Sequence, residues 1–436
     1  MNLSRALAPS FRISLAVLSA AALHSAVLAA GADDAQKAPA PAQQAPAPAQ
    51  QTSATPAEQR VAADVAKVTE QYLVAPKAAS ELGCRIEWQT AASVPAGGAL
   101  RKVDSSADAV LALNNRNELT LIRPETGDAA WTVSAADPID RVIRMGVFSY
   151  AGRGGDESSR ISVMTDAVFY ALGFDSGSTL ARSRFRHVPN TTAEQWGNFL
   201  VFGTSSGQIT WFNCATGNDT RGHVIDSLSG GAPITAAPAV AEGVVVGGNT
   251  AGGLTALDAS TGRMRWSKRL LAGVVATPAI GGGATFVASE DQYLYAFDLA
   301  TGATLWKYFT QTPLRSSPFL AGDLVVQDVP GEGLLALTQN PEAQPGGEVR
   351  WRRDSVHGSP VCTLDGGILF WCPKGRMATL VSVRNGATLR TISLPAVEHL
   401  EAGSIEEGGF VAWSSDGRIE RLSPISEATG ETAAKN

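Results

Sequence analysis

A stretch near the middle of the chain recurs once more, 40 residues further along. Residues Gly253 to Trp266 read GLTALDASTGRMRW, and residues Asp291 to Trp306 read DQYLYAFDLATGATLW. In both copies an alternating apolar segment runs into an Asp and a Thr-Gly turn, and a Trp follows four residues after the Gly. Alternation predicts a half-buried strand, and Asp and Gly are typical of tight turns. Each copy is therefore predicted to be a β-hairpin with a Trp on its second strand.

The turn glycine occurs at eight positions, which are separated by intervals of 39 to 50 residues. An interval of this length is too long for one hairpin and suits one four-stranded unit of a repeat protein. The eight positions are Gly127, Gly177, Gly217, Gly262, Gly302, Gly347, Gly386 and Gly430.

The two ends of this repeat pattern complement each other. Arg85 to Thr90 resembles the Trp-bearing strand of a unit, but the sequence indicates no turn before it. The last unit has strands at Gly409 to Trp413 and Arg418 to Leu422 and lacks its Trp strand. We therefore expect the N-terminal strand to complete the last unit and close a ring, which leaves no open terminal sheet edge.

Four units carry a proline ahead of their other strands, at Pro238, Pro278, Pro318 and Pro360. Proline cannot donate a ladder hydrogen bond and belongs on an edge strand. Because the innermost strand of a radial blade is such an edge, these segments should line a central channel. Their residues are mainly Ala, Ser, Thr and Pro.

The combination of alternating strand, Asp, Thr-Gly turn and Trp resembles the repeats of pyrroloquinoline-quinone (PQQ)-type β-propellers over residues 84–430. The resemblance implies an all-β, eight-bladed propeller of four-stranded antiparallel blades, closed by an N-terminal strand. Two groups share this resemblance: the quinoprotein dehydrogenases, and the BamB family of accessory propellers in outer-membrane barrel assembly. The repeat indicates the fold far more strongly than the function.

The resemblance to the dehydrogenases implies a quinone in the channel, a calcium-type metal, a catalytic Asp and a disulfide between adjacent cysteines. No two of the four cysteines are adjacent in this chain. The acids near strand starts that are candidates for metal binding are Asp140, Glu398 and Glu401. We expect these three acids to be solvated charges in loops. We also expect that the protein is not an enzyme and binds no cofactor.

The N-terminal region has a different composition from the repeats. Residues 1–30 resemble a secretory signal peptide, and residues 31–54 form an Ala/Pro/Gln linker that should be disordered. We therefore expect export to the periplasm or to the periphery of the outer membrane. No Cys follows the apolar core of the signal peptide, so no lipid anchor is indicated, in contrast to BamB.

Residues 55–83 are predicted to form two helices. Thr55, Pro56 and Glu58 are typical of a helix start. The apolar residues of the first helix fall on one face, and the second helix, Lys77 to Leu82, should stop at Gly83. The apolar face consists of Val61, Val65, Val68 and Tyr72. Both helices should pack on the side or end of the propeller, and a short tail, residues 431–436, ends the chain.

Charge and hydropathy exclude several partners. The formal net charge is −6, with 17% charged residues and no basic block, so nucleic acid is not an expected partner. No apolar run of 18 residues follows the N-terminus, so the mature chain should have no transmembrane segment. We expect a monomer.

One basic group stands out in this acidic chain. Arg315 and His357 each lie three residues before a channel proline, and Arg141 and Arg144 lie before the strand that should be the second unit's inner edge. These four residues should surround one mouth of the channel. We therefore predict a basic site for an acidic peptide segment or an anionic ligand.

The cysteines Cys84, Cys214, Cys362 and Cys372 are predicted to be unpaired. Cys362 and Cys372 flank the hairpin signal Asp365-Gly366, but a two-residue turn would place Cys362 opposite Leu369 and leave the thiols too far apart for a bridge.

Two classes of function remain open. The first is a non-catalytic scaffold that binds another envelope protein, as the resemblance to BamB implies. The second is a binder of a small molecule or polysaccharide, or a degenerate PQQ-dependent dehydrogenase.

Overall fold

A computed structural model of the chain describes residues 72–151, 157–225, 231–340, 346–404 and 409–425. The predicted signal peptide, the linker, the first helix, the turn at Gly430 and the tail lie outside these residues. No helix within the described ranges is long and apolar enough to cross a membrane.

The described chain begins with helix α1 (Pro76–Leu82) and strand β1 (Cys84–Ala91). Three complete four-stranded antiparallel sheets follow. Blade 1 contains β2 (Leu100–Ser105), β3 (Val110–Asn114), β4 (Glu118–Ile122) and β5 (Ala129–Ser134). Blade 2 contains β6 (Val142–Ala151), β7 (Glu157–Thr165), β8 (Val168–Gly173) and β9 (Thr179–Arg184). Blade 3 contains β10 (Pro189–Trp196), β11 (Phe199–Thr204), β12 (Gln208–Asn213) and β13 (Asn218–Val224).

Five more sheets complete the propeller. Blade 4 contains β14 (Ala239–Ala241), β15 (Val244–Gly248), β16 (Gly253–Asp258) and β17 (Met264–Arg269). Blade 5 contains β18 (Ala279–Gly281), β19 (Ala284–Ala288), β20 (Tyr293–Asp298) and β21 (Thr304–Phe309). Blade 6 contains β22 (Phe319–Ala321), β23 (Leu324–Val329), β24 (Gly333–Thr338) and β25 (Val349–Asp354). Blade 7 contains β26 (Ser359–Leu364), β27 (Gly367–Cys372), β28 (Met377–Ser382) and β29 (Thr388–Ser393), and blade 8 contains β30 (His399–Ser404), β31 (Gly409–Trp413) and β32 (Arg418–Pro424).

The first and last segments of the described chain share blade 8. Strand β1 pairs antiparallel with β32, with Ile86 opposite Leu422 and Gln89 opposite Glu420. The predicted ring closure and the predicted eight-bladed propeller are therefore confirmed. Blade 8 is the one blade of the described structure in which sequence-distant strands meet.

In blades 1 to 7 the first strand in chain order is the innermost, and in blade 8 the innermost strand is β30, because β1 forms the outer edge. Neighbouring innermost strands contact one another: β30 contacts β2 and β26, β10 contacts β6 and β14, and β18 contacts β14 and β22. Pro238, Pro278 and Pro318 directly precede such a strand, and Pro360 is the second residue of one. The prediction that the proline segments line the centre is confirmed. Each proline lies at the start of an innermost strand, whose inner edge has no partner strand that would need a backbone N–H donor.

The strands between the inner and outer edges are buried on both faces. Strand β16, which holds the alternating residues Leu254 and Ala256, is buried throughout Gly253–Leu257. The expectation of half-buried strands was wrong here, because each blade packs against a neighbour on both sides. Eight hydrophobic clusters result, one between each pair of adjacent blades.

The turn and the Trp of the repeat meet across the boundary between two blades. Trp266 of blade 4 donates from Nε1 to the carbonyl of Leu299 in blade 5 at 3.0 Å. Its ring also lies against Gly302, where an added Cβ would come within 2.7 Å. A glycine is therefore required at this position for two reasons. Its backbone has a positive φ of 73°, and the Trp266 ring leaves no room for a Cβ. The same donation is made by Trp88 to Pro124, Trp131 to Phe174, Trp306 to Gln339 and Trp351 to Val383.

The boundary between blades 7 and 8 shows that a turn does precede β1. Gly83 ends helix α1 in the left-handed conformation, with φ of 81°. Its carbonyl accepts the backbone N–H of Ile425 at 2.9 Å, directly after β32. The Asp and Thr-Gly pattern does not identify this turn, because the turn is formed where helix α1 ends at Gly83, the position at which the second helix was predicted to stop.

The four cysteines are free thiols, and Cys84, Cys214 and Cys362 are buried. Cys362 lies opposite Leu369, as the predicted register required, and a bulge after Pro360 places Ser359 opposite Trp371. Burial raises the pKa of Cys84, Cys214 and Cys362 to about 12, so these thiols are protonated and pack as small apolar groups.

Candidate functional site

The propeller has two different faces around its channel. The loops that enter the innermost strands lie on one face, here called the mouth face. The Thr-Gly turns between the third and fourth strands lie on the opposite face, here called the turn face, because successive antiparallel strands reverse direction. The four basic residues singled out above belong to the mouth face or to the channel wall behind it.

Arg141 and Arg315 line the same depression on the mouth face, with a volume of about 440 Å³. The depression extends over the inner-strand starts of blades 2 to 6. Its walls also contain hydroxyl groups and one side-chain amide, contributed by Asn190, Thr191, Thr192, Thr235, Thr277 and Ser317. The structure therefore brings together two of the four predicted residues, from blades that are not adjacent.

The two guanidinium groups differ in how much charge they offer. Arg315 donates from Nε to Glu290 Oε1 at 2.8 Å, which leaves its other N–H groups without an acid partner. The side chain of Arg141 is exposed and has no hydrogen-bond or ion-pair partner among residues 72–425 that the structure describes. A bound anion would therefore meet one unpaired guanidinium and one that is partly neutralised.

His357 belongs to a neighbouring site. Its Nδ1 lies 2.8 Å from Asp328 Oδ1, and the other carboxylate oxygen accepts the backbone N–H of Gly358 at 3.3 Å. Asp328 and Gly358 line a second depression of about 340 Å³ between blades 6 and 7. His357 is thus paired with an acid at the rim and does not line the depression that holds the two arginines.

Arg144 belongs to a charged group on the innermost strands. It donates from Nη1 to Ser162 Oγ at 3.3 Å, and its charge acts on Asp104 and Glu194 of the neighbouring blades. Burial raises the pKa of both carboxyl groups, and Arg144 opposes that rise. Arg144 therefore contributes to the channel wall and does not line the mouth depression.

The small-residue composition of the four proline segments does not extend to the inner strands of the other four blades. Lys102 and Asp104 lie on β2, Glu194 on β10 and Glu401 on β30. Lys102 donates to the carbonyl of Ile143 at 2.6 Å, and burial lowers its pKa. The small-residue proline motif identifies the inner strands of blades 4 to 7, whereas β2, β6 and β30 lack a proline start and β10 starts with Pro189 after His187 and Val188. The available signal was the polar residues at alternate positions of β10, namely Asn190, Thr192 and Glu194.

The acids considered for metal binding are separated. Asp140 Oδ2 accepts the hydroxyl of Tyr170 at 3.1 Å, and Glu398 Oε2 accepts the backbone N–H of Ser415 at 2.9 Å. Glu401 lies on β30 in the channel wall, where burial raises its pKa, so the expectation of a solvated loop charge was wrong for this residue. Within the described residues, no three His, Cys, Asp or Glu side chains form a group that could hold a metal ion.

Comparison with known protein families supports one of the two groups that share the repeat. The family described as outer membrane protein assembly factor BamB matches residues 191–435, which is more than half of the 436-residue chain. The chain belongs to the BamB family. The matched region covers blades 3 to 8 and therefore includes Arg315 and His357, whereas Arg141 and Arg144 precede it.

Individual BamB proteins match shorter regions. The outer membrane protein assembly factor BamB of Francisella tularensis subsp. tularensis is 29% identical over 145 residues, which are 31% of either chain. That of Bordetella pertussis is 29% identical over 185 residues, which are 41% of either chain. The chain thus spans about a third to two fifths of the length of these BamB relatives.

Solved structures share the fold at low sequence identity. BamB from Moraxella catarrhalis superposes with a TM-score of 0.60 at 16% identity, covering 78% of this chain and 99% of its own. The computationally designed Ika8 protein superposes with a TM-score of 0.57, also at 16% identity, covering 75% of this chain and 96% of its own. Because a designed protein matches about as well as a natural BamB, these superpositions describe the fold alone.

Proposed function

We propose that this chain is a non-catalytic, exported propeller scaffold that binds another protein of the bacterial cell envelope through its mouth face. The observation that carries the proposal is that Arg141 and Arg315 line one depression in a chain with a net charge of −6. Such a local concentration of positive charge attracts an acidic segment of a partner and orients its approach.

Exposed apolar side chains on the mouth face support a protein partner. Ile139 is 95% exposed two residues before Arg141, and Leu271 is 89% exposed in the loop that enters β18. Val188 is also exposed, directly before β10. These loops all lead into innermost strands and therefore lie on the mouth face. Apolar side chains around a basic centre suit a partner segment that carries both acidic and apolar residues.

Membership of the BamB family supports the scaffold reading, since its members are named as assembly factors. The predicted signal peptide supports export. The proposal is tested by isolating the affinity-tagged chain from detergent-solubilised envelope and identifying bound proteins by mass spectrometry. We expect a stoichiometric envelope protein in the wild-type sample, and its absence would contradict the proposal.

A second candidate function is the binding of a small anionic or hydroxylated ligand, including a polysaccharide. The exposed hydroxyls of Thr192 and Thr235 in the depression favour it, because sugar hydroxyls exchange hydrogen bonds with such groups. A degenerate dehydrogenase belongs to the same alternative. A dye-reduction assay with the purified protein, the quinone and calcium separates these functions: substrate-dependent turnover that a chelator removes would favour an enzyme over a scaffold.

A further inference from the structure

A groove of about 680 Å³ runs along the outermost strand of blade 8. One wall is helix α1, through Pro76, Ala79 and Ser80, and the other is β1 from Cys84 to Gln89. The described chain starts and ends in this groove, since Tyr72 and Ile425 both line it. The side chains of Tyr72 and Ile425 are 54% and 51% exposed, so the groove presents apolar surface to solvent.

The groove lies along an open sheet edge. Strand β1 is the last strand of its sheet, and no other described strand pairs with its outer side. A bulge between Ile86 and Trp88 shifts its register. Open edges of this length attract other strands, and proteins commonly protect them by laying a helix or loop across them.

The residues directly before Tyr72 have the amphipathic pattern of a helix that could protect this edge. At 100° per residue of an α-helix, Val61, Val65, Val68 and Tyr72 fall within about 60° of one another. Tyr72 already lines the groove, so a helix that continues backwards from it would start with its apolar face at the groove. The 11 residues after Ile425 contain no large apolar side chain and lack this pattern.

The lengths also agree. A helix over residues 56–71 would be about 24 Å long at the usual rise of 1.5 Å per residue. The eight residues of β1 extend about 26 Å at 3.3 Å per residue. One helix of this segment therefore suffices to follow the whole edge strand.

We propose that residues 56–71 form a helix whose Val61, Val65 and Val68 side chains occupy this groove and cover the outer edge of β1. The helix then belongs to the closing blade and protects the ring where its two ends meet. It also makes the edge of blade 8 inaccessible to a strand of another protein.

Hydrogen exchange of the β1 amides in the full chain tests this placement. The variant Val65→Asp/Val68→Asp puts charges on the apolar face, and Ala63→Asp/Ala66→Asp puts the same charges on the opposite face of the same segment. We expect exchange in residues 85–89 to accelerate roughly tenfold or more in the first variant and to stay at the wild-type rate in the control. Equal exchange in all three proteins would overturn the proposal.

A photo-crosslinking residue at position 68 gives an independent readout that does not depend on stability. In the purified wild-type background we expect an intramolecular crosslink to residues 84–89 or to Ile425. A crosslink to another part of the propeller, or the lack of any, would contradict the proposed cover. A crosslink formed only to another protein in cell extract would show instead that a partner occupies the groove.

Discussion

Arg390 of blade 7 donates from Nη1 to the carbonyl of Leu82 at 3.2 Å, at the end of helix α1. Arg390 lies four residues after the turn glycine Gly386, the position that Trp occupies in the regular repeats of this chain. Its guanidinium packs against Gly83, since a Cβ added to Gly83 would lie 2.9 Å from Arg390 Nη1. The contact of Trp266 with Leu299 and Gly302 is thus repeated at the closing blade, with an arginine and a helix end in place of the Trp and the hairpin turn.

Substitution of Arg390 by Met should lower the free energy of unfolding by about 1–2 kcal/mol, because the buried end of α1 loses a charged donor. Asp365→Asn is the control, since it removes only the partly exposed ion pair between Asp365 and Arg390. That control should cost less than about 1 kcal/mol. Denaturant unfolding followed by circular dichroism measures both. Equal effects of the two substitutions would show that the contact with Leu82 does not stabilise the closing blade.

Two glycines of blade 5 separate the backbone role of a turn glycine from its packing role. Gly302 and Gly283 both have φ of 73°, but a Cβ on Gly302 would collide with the Trp266 ring, whereas a Cβ on Gly283 would meet nothing within 4 Å. Gly283→Ala should cost about 1 kcal/mol from backbone strain alone. Gly302→Ala should cost about 1–3 kcal/mol more because the ring must move. Thermal unfolding of the two variants provides the comparison, and similar melting temperatures would contradict the packing role.

Glu420 predicts a pH dependence of stability. The residue is fully buried on β32, its Oε2 accepts the backbone N–H of Val74 at 2.6 Å, and burial raises its pKa from 4.5 to about 7. Since the folded-state pKa is raised, the stability that Glu420 contributes is fully present below about pH 4.5 and is lost as the pH rises through 7. The loss should amount to as much as about 3 kcal/mol.

The variant Glu420→Gln keeps an oxygen that can accept from Val74 and cannot ionise. Its unfolding free energy should therefore change less between pH 5 and pH 8 than that of the wild type. Glu81→Gln, on the exposed side of α1, is the matched control and should keep the wild-type pH dependence. Parallel pH profiles for Glu420→Gln and the wild type would show that another group is responsible.

The repeat pattern predicted the fold because its residues act in the same way in every good copy. Asp298 Oδ1 accepts the backbone N–H of Thr301 at 2.7 Å, and Trp306 of the same hairpin reaches the carbonyl of Gln339 in the next blade. Both contacts follow from the type of residue and its distance along the chain from the turn glycine. For this reason the eight blades and the closing strand could be read from the sequence.

The boundaries without a repeat Trp could not be read in this way. Between blades 3 and 4, Trp211 of strand β12 donates to the carbonyl of Ala259 at 3.0 Å, although it is not on the strand that follows the turn. Between blades 2 and 3, phenylalanines fill the space, with the rings of Phe169 and Phe212 4.8 Å apart. Such replacements depend on which side chains pack together at the boundary between two blades, and the spacing of residues in the sequence does not identify them.

The candidate site was predictable only in part for the same reason. The offset from the channel prolines identified Arg315, and the start of the second unit identified Arg141. Spacing did not show that His357 pairs with Asp328 on strand β23 of blade 6 or that Arg144 belongs to the charged channel wall. Those partners come from other blades, so their proximity appears only once the ring is closed.

The most direct test of the scaffold function is the amount of envelope protein that co-purifies with a mouth variant relative to the wild type. The variant Arg141→Glu/Arg315→Glu reverses the charge of the mouth depression. Arg263→Glu/Arg384→Glu makes the same change in two exposed residues of the turns on the opposite face. We expect the mouth variant to lose at least about tenfold in partner recovery, a change of 1.4 kcal/mol in binding free energy, while the control matches the wild type. Undiminished recovery by the mouth variant, or an equal loss in the control, would contradict binding through the mouth face.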